Sequence, residues 1–75
     1  MTEYAVIYER GKDGSWHASA GFLPVFAVGD TRDEAEARIR SAIEGHLEFL
    51  RERGEPIPVF DCEVGMVSVE LTRAA

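Results

Sequence analysis

The stretch that most constrains this chain is Val28-Gly29-Asp30-Thr31-Arg32-Asp33-Glu34-Ala35. A β-type pattern stops there and a helical one begins. Thr31 is a good N-cap residue, and Glu34 stands three positions later, the spacing of a capping box. In that arrangement the Thr oxygen and the Glu carboxylate each accept from a backbone N–H that the helix leaves without a partner. Asp30, Asp33 and Glu34 place negative charge at the positive end of the helix dipole. Gly29 permits a tight turn after the apolar run. The helix start sets the register of everything that follows.

Upstream, Tyr4-Ala5-Val6-Ile7-Tyr8-Glu9 is β-branched and aromatic and reads as a first strand. Asp13-Gly14 is a turn that tolerates positive φ. Ser15 to Ala20 reads as the second strand of a hairpin, with Trp16, Ala18 and Ala20 on one face and Ser15, His17 and Ser19 on the other. Gly21-Phe22-Leu23-Pro24 is a loop, and Val25 to Val28 a short third strand. Downstream, Ala35, Ile39, Ala42, Ile43, His46, Leu47 and Leu50 form one stripe of a helix spanning Arg32 to Arg53. Glu34–Arg38 and Glu36–Arg40 are i,i+4 pairs on its solvent side. Gly54 suits the C′ position, and Pro56 and Pro58 end the helix. Gly45 inside the helix either admits a neighbouring backbone or is a tolerated imperfection. Between Glu63 and Thr72, Val67, Val69 and Leu71 alternate with Ser68, Glu70 and Thr72, the pattern of a half-buried last strand. The expected fold is α+β: a two-layer β-β-β-α-β domain, one antiparallel sheet packed on one amphipathic helix.

The 75 residues make one domain, 1–75. So short a chain buries about 60% of its extended-chain surface, and self-association is a common remedy for the small core that results. A homodimer or higher homo-oligomer is therefore expected. Asp and Glu outnumber Lys and Arg 14 to 8, for a net charge of −6. Such a surface repels nucleic-acid phosphates and anionic membranes and favours a basic partner. Solubility alone would explain the same balance. The lone cysteine, Cys62, cannot form an internal disulfide. No segment reads as a signal peptide or reaches bilayer length, so a cytoplasmic protein is expected.

The residue types that carry chemistry are scattered. His46 lies on the helical stripe, where it reads as a histidine packed at the core edge; no second His or Cys lies one helical turn away, although Glu44 forms a Glu-x-His pair with it. His17 falls on the polar face of its strand. Asp30, Asp33 and Glu34 are explained by the helix dipole without a metal ion. Asp61 and Glu63 flank Cys62, and two neighbouring carboxylates disfavour a thiolate, which opposes a nucleophilic role. Gly11-Lys12-Asp13-Gly14 lacks the spacing and the following helix of a phosphate loop. The expectation is therefore no catalytic, metal or cofactor site and no direct nucleic-acid binding. Helix acids Glu44 and Glu48, and the apolar residues Phe22, Leu23, Pro24 and Phe26, are the candidate partner interface. Thr31 and Glu34 are structural helix-capping residues.

Taken together, Asp13-Gly14 followed by Trp16, then Leu23-Pro24, Ala27 to Ala35, Ala42-Ile43-Glu44-Gly45-His46-Leu47-Glu48 and Gly54-Glu55-Pro56-Ile57-Pro58 form a pattern running from Tyr4 to Pro58. This pattern resembles the N-terminal domain of the HicB-like antitoxin family. The resemblance implies a degenerate ribonuclease-H-type β-β-β-α-β layer. It also implies a partner, a small basic HicA-type toxin that cleaves RNA and whose active surface the antitoxin covers. Two departures stand out. The family has Pro-Asp before Leu-Pro and Gly-Cys after it; here Gly21-Phe22 and Val25-Phe26 take those places, in a loop one residue shorter. Members of the family often continue into a DNA-binding domain, whereas this chain ends at Ala75, and no such domain is expected.

The leading expectation is thus a non-enzymatic, antitoxin-type protein that neutralises a basic ribonuclease. The alternative is a stand-alone homo-oligomeric domain of the same fold with a different partner or none. A metal-dependent ribonuclease is a remote third reading. It requires convergence of Glu9, Asp30 and Asp61, which nothing in their spacing indicates.

Overall fold

The Asp13-Gly14 turn organises the first hairpin. Gly14 sits at φ 87°, which glycine adopts without penalty. Asp13 Oδ1 accepts from both the backbone N–H (3.0 Å) and the hydroxyl (2.6 Å) of Ser15. These bonds to its charged form hold the Asp13 carboxyl below its ordinary pKa. In the computed structural model, which describes residues 2–72, the turn joins β1 (Val6–Arg10) to β2 (Trp16–Ala20). Met1 and residues 73–75 of the expected domain lie outside the described range. β2 pairs in turn with β3 (Phe26–Gly29), giving an antiparallel sheet of order β1-β2-β3. A single helix, α1 (Arg32–Glu52), follows. The α+β architecture is as expected, with each element within about two residues of its anticipated bounds at either end.

The capping box forms. The Glu34 N–H donates to Thr31 Oγ1 at 3.1 Å. The Glu34 carboxylate reaches back to the N–H of Asp30 at 2.8 Å, one residue before the cap itself. At the far end Gly54 takes φ 71° and donates to the carbonyl of Arg51, while Glu55 N–H donates to that of Leu50. Gly29 serves a different purpose from the turn expected of it. Its φ is not positive, but a Cβ there would stand 2.6 Å from the backbone nitrogen of Ala35. The strand is therefore free to run tight against the first turn of the helix. Arg38 adds a tie, donating to the carbonyl of Val28 at 2.7 Å.

The helix lies over β2 and β3. Ala18 and Ala35, both small, let the layers approach, and Ile39 fills the space between them. Val6, Tyr8, Trp16, Val25, Ala27 and Ile43 surround this centre, partly buried. Ile39 is the one large side chain almost wholly removed from solvent among the described residues, at 2% exposure. The expected stripe and the Trp16/Ala18/Ala20 face are thus the ones that meet. A Cβ at Gly45 would meet no other part of the chain within 4 Å among the described residues.

The expected last strand is the correction. Residues 63–72 form no regular secondary structure and pair with no strand among the described residues, so the observed order is β-β-β-α. The reason lies just upstream. The Tyr4 hydroxyl donates to the carbonyl of Pro58 at 2.6 Å, and the Phe60 ring sits 4.7 Å from that of Phe22 and 6.4 Å from that of Tyr4. These contacts anchor the chain beside the loop between β2 and β3, and the segment beyond departs from the body. The radius of gyration is 15.5 Å, against about 11 Å for a compact chain of this length. The long axis of 54 Å exceeds the roughly 32 Å that the rise of the helix supplies.

Candidate functional site

The helix covers one face of the sheet and leaves the other open. Strand alternation and register place Ile7, Ser19 and Phe26 side by side in one row of that open face, and Glu9, His17 and Val28 in the next. Phe26 is 75% exposed, and Ile7 and Val28 are exposed beside it. Apolar side chains therefore stand on the two outer strands of this face, Ile7 on β1 and Phe26 and Val28 on β3, with the polar Ser19 and His17 of β2 between them. Sequence reasoning picked out Phe26 but missed Ile7 and Val28. Alternation within the first strand carried that signal, because Ile7 is out of phase with Val6 and Tyr8.

The other candidate interface residues do not join this face. Phe22 is exposed but stacks on Phe60 at the end of the sheet. Leu23 is buried and belongs to the core, so it offers no surface. Pro24 is exposed in the loop. Glu44 and Glu48 are exposed on the helix. Glu48 is bound by Arg51 at 2.6 Å, whereas Glu44 makes no ion pair among the described residues. The candidate set is thus spread over a sheet face, a sheet end and a helix rather than gathered in one patch.

Glu44 stands at the rim of a separate feature. Because the helix favours β2 and β3, a cleft of 540 Å³ opens between β1 and the helix. Val6, Tyr8, Ile39, Ile43 and Leu47 give it apolar walls, while Glu36 and Arg40 form a 3.6 Å ion pair at its border. Arg32 lies 4.1 Å above the Tyr8 ring. Desolvation raises the Tyr8 pKa, and the nearby Glu36 carboxylate adds to the rise.

Potential metal ligands do not gather among the described residues. No group of three His, Cys, Asp or Glu side chains comes together to hold a metal among the described residues, Glu9, Asp30 and Asp61 included. His17 is exposed, with Nε2 3.2 Å from the Ser15 hydroxyl, and His46 is half-buried on the helix. Cys62 is an exposed free thiol. No helix among the described residues is long and apolar enough to cross a membrane.

Comparison with known proteins supplies the family. The chain is 36% identical over 67 residues to UPF0150 protein ssr1765 of Synechocystis, covering 88% of this chain and 85% of that protein. The chain belongs to the UPF0150 family. A second relative, UPF0150 protein Ta0767 of Thermoplasma acidophilum, is 35% identical over 57 residues, covering 75% of this chain and 83% of its own length. The names of these UPF0150 relatives state no activity. No family model matches the chain, and no solved structure matches it.

Proposed function

We propose that this UPF0150 protein is a non-enzymatic binding protein of antitoxin type, which occupies the nucleic-acid-binding surface of a small basic RNA-cleaving protein. The HicB-like pattern from Tyr4 to Pro58 carries the reading, and the three strands and capped helix that this pattern spans support it. The charge is suited to the task. A net charge of −6, with Glu44 and Glu52 free of ion pairs among the described residues, attracts a protein whose own surface is built to bind phosphate. On the open face, Ile7, Phe26 and Val28 supply apolar area that such a contact can bury. Any working site is the cytoplasm, where an RNA-cleaving partner meets its substrate.

Affinity purification of the tagged chain from its native cells, followed by mass spectrometry, tests this. A small basic protein should come down in a complex that salt dissociates, and the purified chain should suppress that protein's cleavage of RNA. Recovery of the chain alone, or of a protein whose RNA cleavage the chain leaves unchanged, would overturn the reading.

A further inference from the structure

Two features of this molecule are incomplete, and each has the shape of what the other lacks. The first is the segment 63–72. Val67, Val69 and Leu71 alternate with Ser68, Glu70 and Thr72 and are 81% exposed or more, and Val64 and Met66 are exposed beside them. β-Branched residues in strict alternation suit a pleated, half-buried strand. Here they have no sheet, and the segment's backbone makes no ladder bonds among the described residues. The second is the cleft beside β1. β1 is terminal in the sheet, so its outer N–H and C=O groups face no strand. Next to that edge the apolar walls of Val6, Tyr8, Ile39, Ile43 and Leu47 are left open. A strand added to β1 would close the ladder and send every second side chain into the cleft.

The geometry points to a second copy of this chain as the occupant: residues 63–72 of each copy pair with the outer edge of β1 of the other and cover the cleft between β1 and α1. The chain does not serve itself this way. Its anchors at Pro58 and Phe60 commit it to the end of the sheet near Phe22, and Cys62 lies beside Gly21, Phe22 and Leu23. No described residue beyond Leu47 lines the cleft. Returning the segment to its own β1 would mean giving up those anchors. A strand from an unrelated protein would fill the cleft but leave the apolar segment in water. Reciprocal exchange covers both, twice, about a two-fold axis, and leaves neither copy with an unmatched edge at β1. This inference does not depend on the antitoxin reading, because it concerns the purified chain alone.

Sedimentation equilibrium of the full-length chain, with amide hydrogen exchange on the same samples, is the test. The comparison is a double variant, Val67→Pro with Ser68→Pro. Successive N–H groups of a strand point to opposite sides, so the pair removes whichever one faces β1. The wild-type chain should sediment at twice the chain mass at tens of micromolar, with slowed exchange in both Val6–Arg10 and residues 63–72. The double variant should raise the dissociation constant at least about tenfold, lose both zones of protection together and keep its helical circular dichroism. Val69→Asp should weaken the dimer in the same direction by placing a charge in the cleft. A monomeric wild-type chain overturns the proposal, including one in which residues 63–72 are protected by folding back. So does a dimer that the double variant leaves intact, or a double variant that loses its helix.

Discussion

Gly29 shows how a single residue can be recognised as necessary for the wrong reason. Its place between an apolar run and Asp30-Thr31 suggested a turn, but its backbone is ordinary and the constraint is space. Gly29→Ala would put a Cβ 2.6 Å from the Ala35 nitrogen, against backbone that cannot swing aside. Overpacking of this kind costs about 1–3 kcal/mol, to be read as a lower denaturant midpoint with unchanged slope. Asp13 makes the opposite case, since its turn role was plain from the Asp-Gly pair. The Ser15 bonds stabilise the carboxylate, so the folded-state pKa lies below the ordinary 3.8. A depressed folded pKa means that the contribution is present above the unfolded value and lost as pH falls through the folded one. Carboxyl NMR should give Asp13 a midpoint below 3.8, and Ser15→Ala should move it back up toward that value.

At the level of elements, α1 was the most legible. Its start was written in Thr31 and Glu34, its buried side in the stripe from Ala35 to Leu50, and its end in Gly54, and all three formed. Local hydrogen bonds and side-chain spacing decide these features, and both are properties of nearby residues. The core that the helix makes is thin, resting on Ile39 between two alanines. Ile39→Ala should therefore cost about 2–5 kcal/mol, a large share of what so small a domain has, and calorimetry should show the loss of most of its thermal transition. Residues 63–72 behaved differently. Their alternation predicts a half-buried strand that does not form, because alternation says which side is apolar and nothing about which edge is available. Leu23 failed for a related reason. Its neighbours Phe22 and Pro24 are exposed, and only the packing of the loop showed that it turns inward.

For the whole molecule, two surfaces with different physics lie on one small body. The cleft and the segment 63–72 are apolar and call for burial, whereas the helix acids act through charge at a distance. If two copies exchange strands, folding and association are linked, and the melting temperature of the wild-type chain should rise with protein concentration. In the Val67→Pro, Ser68→Pro variant it should not, and scanning calorimetry across a concentration series checks both. Reversing Glu44 and Glu48 to Lys probes the charged surface. It should weaken binding to a basic partner at least about tenfold at low salt and flatten the salt dependence. Fold stability should change little, because the exposed Glu48–Arg51 pair is worth about 0.5 kcal/mol at most.

The order of the first four elements, the helix and its caps, the hairpin turn and the inward faces could all be read directly from the residues, because each depends on contacts between near neighbours or on a simple period. The acidic balance could be read from composition alone. The tertiary structure alone decided that Gly29 serves a close approach, that Leu23 is core and that Ile7 and Phe26 share the open face on either side of Ser19. It also decided that the last apolar segment leaves the body while a cleft stands empty beside β1. These depend on where distant parts of the chain meet. Alternation names a strand without naming its partner, and the helix's preference for β2 and β3 over β1 follows from packing that no local pattern records.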